Sequence, residues 1–157
     1  MTPEGVGPIH IGMTVAEARK AFPQATFIRI PEADFAPAIG VELGRESLME
    51  FWVWEEEGND PDPPIDEQKE IYTIVTSNPL CHTEEGIHSG SLVLDAEKIL
   101  GKAKETTGEG GPYVSFEKQP KHMGFGMYDP GGYPASSPTT KFSAASTIWS
   151  ISVTSVH

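Results

Sequence analysis

A capping box closed off by a proline leaves the N-terminal part of this chain very few structures to adopt. Thr14 and Glu17 stand three residues apart in the stretch Gly5–Phe22, GVGPIHIGMTVAEARKAF. A threonine hydroxyl can take an otherwise unpaired N–H at a helix start, and the glutamate can reach back to the threonine N–H. Val15, Ala18 and Phe22 then share one helical face, and Arg19 and Lys20 fall where cations suit the helix dipole. Pro23 cannot continue the hydrogen-bond ladder, so the helix stops there. Upstream, Gly5, Gly7 and Pro8 favour a tight turn, and Ile9 and Ile11 alternate with His10 as in a short strand. A helix of only about two to three turns is marginal in isolation, so packing must hold it.

A weaker echo returns at Gly86–Gly101, GIHSGSLVLDAEKILG. Gly90–Leu100 aligns without gaps on Gly12–Phe22, pairing Gly12 with Gly90, Val15 with Val93, Ala18 with Ala96, Lys20 with Lys98 and Glu17 with Asp95. Leu92 stands where Thr14 would, so the cap falls to Ser91 or Ser89 if it exists at all. The echo divides the chain into two candidate half-repeats within one domain, about 5–76 and about 77–157. The second helix is expected over about Leu92–Leu100, with Leu92, Ala96, Ile99 and Leu100 inward and Gly101 at its end.

Between and after these units the chain reads as strands. Thr26–Ile30, Ala38–Leu43, Leu48–Trp54, Glu70–Thr76, Pro112–Lys118, Met123–Tyr128 and Thr147–Val156 are the candidates. Leu48–Trp54, LMEFWVW, is apolar on both faces, which predicts a strand covered on both sides; an exposed aromatic face is the alternative. Gly124 and Gly126 leave one face of Met123–Tyr128 bare, inviting close approach of an aromatic ring or a helix. In the last strand strict alternation groups Ile148 with Ser150, Ser152 and Thr154, and Trp149 with Ile151, Val153 and Ser155. Pro31–Pro37, Glu55–Asp66 and Gly131–Thr140 read as loops. Hairpin-length turns outnumber helical crossovers. The expected fold is therefore α+β: an antiparallel sheet of about seven or eight strands with both helices on one face.

The opening G-x-G-P-x-x-x-G-M-T resembles that of a group of poorly characterised bacterial domains, many of them exported or lipid-anchored. The segment IYTIVTSNPLCHTEEGIHSGSLVLDAEKILGK is similar to their second half, apart from Leu92, where those domains usually place threonine. The helix entry is distantly similar to that of the outer-membrane assembly lipoprotein and β-lactamase inhibitor protein type of domain. The resemblance implies a fold and brings no catalytic motif.

The chain has 157 residues and a net charge of −12. That balance argues against nucleic acid and anionic membrane surfaces and favours cations, basic proteins and neutral ligands. No apolar run approaches transmembrane length, so no membrane insertion is expected. The start, TPEGVG, is neither basic nor apolar, so the chain as written reads as cytoplasmic, and as exported or periplasmic if it is a trimmed mature form. The single cysteine, Cys81, excludes an intramolecular disulfide.

Few residues suggest chemistry. Cys81, His82 and His88, with Glu84 and Glu85, offer thiolate, imidazole and carboxylate ligands for zinc, but at no standard spacing. Asp60, Asp62 and Asp66, with Glu55–Glu57, could supply oxygens to calcium, without the register of an EF-hand. There is no G-x-S-x-G, phosphate-binding loop or dinucleotide fingerprint, and no cofactor is expected. Trp52, Trp54, Tyr113, Phe125, Tyr128 and Trp149 are candidates for an aromatic-lined sheet face. These readings lead to a noncatalytic binding domain with a protein partner. A small apolar ligand on the aromatic face is the alternative, and a hydrolase with a site assembled from distant residues is the third.

Overall fold

The computed structural model describes residues 1–30, 38–54, 64–108, 111–128 and 142–155. The expected loops at Pro31–Pro37 and Gly131–Thr140, and most of the acidic one, lie outside these residues. A two-residue pair, β1 (Gly5–Val6) and β2 (Ile9–His10), precedes helix α1 (Val15–Ala21). Four strands follow: β3 (Thr26–Ile30), β4 (Ala38–Leu43), β5 (Glu46–Val53) and β6 (Ile71–Thr76). Helix α2 (Val93–Leu100) opens a second series, β7 (Ala103–Gly108), β8 (Gly111–Phe116), β9 (Met123–Tyr128) and β10 (Thr147–Thr154). β3 to β10 form one eight-stranded antiparallel sheet in the order β3-β4-β5-β6-β10-β9-β8-β7. The fold is α+β, as expected. Strand β7 of the main sheet, like the two-residue β1, is an element the sequence pattern did not announce. Its residues AKETTG carry little apolar alternation, and it is held as an edge strand by its hairpin with β8.

The capping box forms as the sequence requires. The Glu17 N–H donates to Thr14 Oγ1 at 3.2 Å, and the Thr14 N–H donates to Glu17 Oε2 at 2.9 Å. Helix α1 buries Val15 and Ala18 beneath Phe27, Phe51 and Ile74. Each fully buried valine contributes roughly 1.5–3 kcal/mol, more than a helix of this length gains from propensity. Arg19 extends the docking: its Nε bonds Glu67 at 2.9 Å and its guanidinium lies 4.7 Å from the Phe27 ring centre. Helix α2 buries Val93, Ala96 and Leu100 against Val114, Phe125 and Ile151. Leu92 and Ile99, expected inward, are 38% and 45% exposed; the buried stripe runs through Val93 instead, one position on. No side chain caps α2. The Ser91 hydroxyl accepts from the His88 N–H and the Ser89 hydroxyl donates to the Trp149 carbonyl, so both candidate caps are engaged elsewhere.

The two helix entries are wired to the sheet by matching bonds. The Gly12 N–H donates to the Ile71 carbonyl at 2.8 Å, and the Gly90 N–H to that of Ile148 at 2.7 Å. Ile71 N–H returns to Met13 at 2.8 Å, and Ile148 N–H to Ser91 at 2.9 Å. Val15 N–H reaches Lys69 at 3.1 Å, and Val93 N–H reaches Ser146 at 2.9 Å. Gly12 and Gly90 hold φ of 83° and 96°, a region that glycine enters at little cost. At the centre of the sheet Ile74 faces Val153, Val75 faces Ser152 and Thr76 faces Ile151. Exchanging Ile74 with Ile151 and Thr76 with Val153 leaves this register unchanged. A local two-fold therefore passes between Val75 and Ser152.

Candidate interaction surface

Both helices pack on one face of the sheet; among the described residues no helix covers the other. Strand register assigns side chains to each face, because residues directly opposite in a pair project the same way. Phe51, Ile74, Val153 and Met123 lie on the helix side, as does Phe125, which faces Ile151 and is 1% exposed. Phe125 is therefore core, stacked edge-on with Phe116 at 5.4 Å, and leaves the set of candidate surface aromatics. The open side carries Gly40 and Glu50, then Val75 and Ser152, then Gly124, across one row of strands. Trp52 and Thr73 stand in the next row. The expectation that β5 is covered on both sides is thus corrected. Met49, Phe51 and Val53 are buried, while Glu50 and Trp52 are only half-buried and Trp54 is 52% exposed.

Of the three register shifts in the sheet, two bring an aromatic residue to the open side. On β6 the register runs Trp52–Thr73 and then Val53–Ile71, leaving Tyr72 without an opposite residue. On β10 it runs Ile148–Met127 and then Ser150–Gly126, leaving Trp149 extra in the same way. The second bulge overturns the alternation expected for the last strand. Ile148, Ile151 and Val153 are all core, while Ser150, itself buried, Ser152 and Thr154 lie on the open side of the sheet. A bulge inserts one residue and so shifts the face of everything beyond it. Such shifts leave no trace in hydrophobic period alone.

Each of these two bulges brings an aromatic side chain to the open side. Tyr72 stacks on Trp54 with centroids 4.2 Å apart and planes at 25°. Trp149 lies over the bare Cα of Gly126; a Cβ built there would meet the Trp149 Nε1 at 2.5 Å and also the Ser150 hydroxyl. The expected close approach of an aromatic ring at this glycine is therefore found. Trp149 and Tyr128 are 49% and 57% exposed, and Tyr113, opposite Gly126, stands on the same side. Between the aromatic residues the floor is small and hydroxylated, and Thr73 Oγ1 bonds Thr154 Oγ1 at 3.3 Å.

Among the described residues the proposed metal ligands do not converge: no three His, Cys, Asp or Glu side chains are placed to hold an ion. His82 Nδ1 is 2.9 Å from the Thr83 carbonyl and His88 Nδ1 is 2.7 Å from that of Ser89, so each ring is tied to local backbone. Cys81 is half-buried with its Sγ 3.7 Å from the Leu48 carbonyl. Asp66 accepts from the Gln68 N–H at 2.9 Å, and Asp60 and Asp62 lie outside the described residues. No helix is long and apolar enough to cross a membrane, among the residues described.

No family model matches the chain, and no curated protein does. Among solved structures it is similar to the crystal structure of the uncharacterised protein YfeY from Escherichia coli, with a TM-score of 0.65 and 12% identity over 99% of each chain. At that identity the likeness is one of fold alone.

Proposed function

We propose that this protein is a noncatalytic binding domain that engages a protein partner through the open face of its sheet. The observation that carries the reading is the exposure of Trp54, Tyr128 and Trp149 on the side away from the helices. Large aromatic residues contribute much of the energy of protein interfaces when desolvated, and exposing several of them on one surface is costly without such a role. Outer positions of α2 offer a smaller rival patch, since Leu94 is 37% exposed. That patch consists of isolated aliphatic side chains without stacked rings.

A photoreactive benzoylphenylalanine at Tyr128, compared with one at Ile99 on the opposite layer, tests the reading in the source cells. The expected result is one discrete adduct at Tyr128 and none at Ile99. An adduct at Ile99 alone would move the interface to the helices. A gain in thermal stability with a small apolar compound, abolished by Trp54→Ala, would favour the small-ligand reading instead.

A further inference from the structure

We propose that the open face is one docking site in two corresponding parts, and that its occupant is an extended, basic segment of the partner. The inference rests on the protein-binding reading above and adds the chemistry of the partner. The bulged residues Tyr72 and Trp149 hold corresponding places, each following an isoleucine (Ile71, Ile148) that receives a helix-entry glycine bond. Trp54 and Tyr128 correspond as well, each following a core residue, Val53 or Met127, at the end of the neighbouring strand. The local two-fold thus sets an aromatic pair at each end of β6 and β10. Extending the register that joins Thr76 to Ile151 places the two bulges about six residues apart along the strands, or about 20 Å. An extended segment of about seven residues spans that length.

Charge and floor chemistry near the axis argue for the occupant; Lys104, opposite Ser115, projects to the same side only at the far edge strand. Glu50 stands beside the axis, next to Val75 and half-exposed, with no hydrogen bond or ion pair among the described residues. Glu42 projects to the same side from β4. A lysine or arginine laid across the centre would meet an unpaired carboxylate in a partly desolvated setting, where a charge-assisted bond is strongest. The hydroxyls of Thr73, Ser152 and Thr154 offer donors and acceptors to an extended backbone, whose own N–H and C=O groups need partners. A second copy of the chain is disfavoured, because two chains of net charge −12 repel and neither would bring a cation to Glu50 in excess.

The test is fluorescence titration of the intact protein with blocked peptides of serine and threonine. Each carries two tyrosines about six positions apart and a lysine midway, or glutamate in its place. The lysine peptide is expected to bind about tenfold more tightly than the glutamate peptide. Glu50→Gln should shrink that gap to about twofold, and Trp54→Ala and Trp149→Ala should each weaken the lysine peptide by about fivefold or more with the melting temperature held. Equal binding of the two peptides, indifference to Trp149→Ala, or no saturable binding would overturn the inference. A discrete adduct at Tyr128 would still stand in any of those cases, so the broader reading fails separately. Self-association that buries Trp54 and Trp149 would also overturn it, by making a second copy the occupant.

Discussion

The two halves of the sheet differ least where the backbone is bonded and most where side chains face solvent. Ile71 and Ile148 receive the same glycine bonds, Phe51 and Phe125 hold the same place in the core, and Val15 and Val93 seat the two helices. Outside that frame the halves part. Helix α1 has a reciprocal cap and α2 has none. Beside the bulge of the first half stands Trp52; at the matching place in the second stands Gly126, with Trp149 laid over it. A large side chain on one strand has been exchanged for a glycine plus a ring from the next strand. The difference shows which features the fold demands and which are left to the surface.

Substitutions can break that comparison or sharpen it. The largest effect is expected in the core. Phe51→Ala and Phe125→Ala should each destabilise by about 3–5 kcal/mol in urea unfolding, and by similar amounts if the halves contribute alike. A cost confined to one of them would mean that the halves support the fold unequally. Next come the helix-entry glycines: Gly12→Ala and Gly90→Ala force a positive φ on alanine and should cost about 1–3 kcal/mol each. The caps should then separate the helices. Thr14→Ala is expected to lose about 1 kcal/mol, whereas Leu92→Ala should lose far less, since the Leu92 side chain accepts no capping bond.

The smallest effect is one of pH. The Thr14 backbone N–H, then the Thr14 hydroxyl, hold the Glu17 carboxyl below its ordinary value of 4.5, and Lys20 adds to this while desolvation opposes it. Because the folded pKa is the lower one, the contribution is complete above 4.5 and is lost as pH falls through the folded value. The gap in urea midpoint between the native chain and Glu17→Gln should therefore narrow on acidification from neutrality. A gap independent of pH would separate the cap from the charge of Glu17.

Much of this architecture was legible in the residues, because short-range chemistry decides it. The Thr14–Glu17 box, the Pro23 stop, Thr26–Ile30, Ala38–Leu43 and Met123–Tyr128 are local patterns, and each is found where expected. The bare face at Gly126 likewise announced the ring that covers it. What escaped was set by pairing between distant strands. β7 is held by its hairpin partner rather than by apolar alternation, and the bulges at Tyr72 and Trp149 depend on the neighbouring strands. Those bulges decide which of the candidate aromatic residues face outward. Phe125 could be told from Tyr128 only once the register was known.

Hydroxyl-radical footprinting of the protein, free and in the complex recovered with its cellular partner, tests the central claim most directly. The account predicts that Trp54, Tyr128 and Trp149 are labelled readily in the free chain and protected together in the complex, while Leu94 and Ile99 on α2 change little. Protection of Leu94 and Ile99 with the three aromatic residues still labelled would contradict it, and would place the partner on the helices.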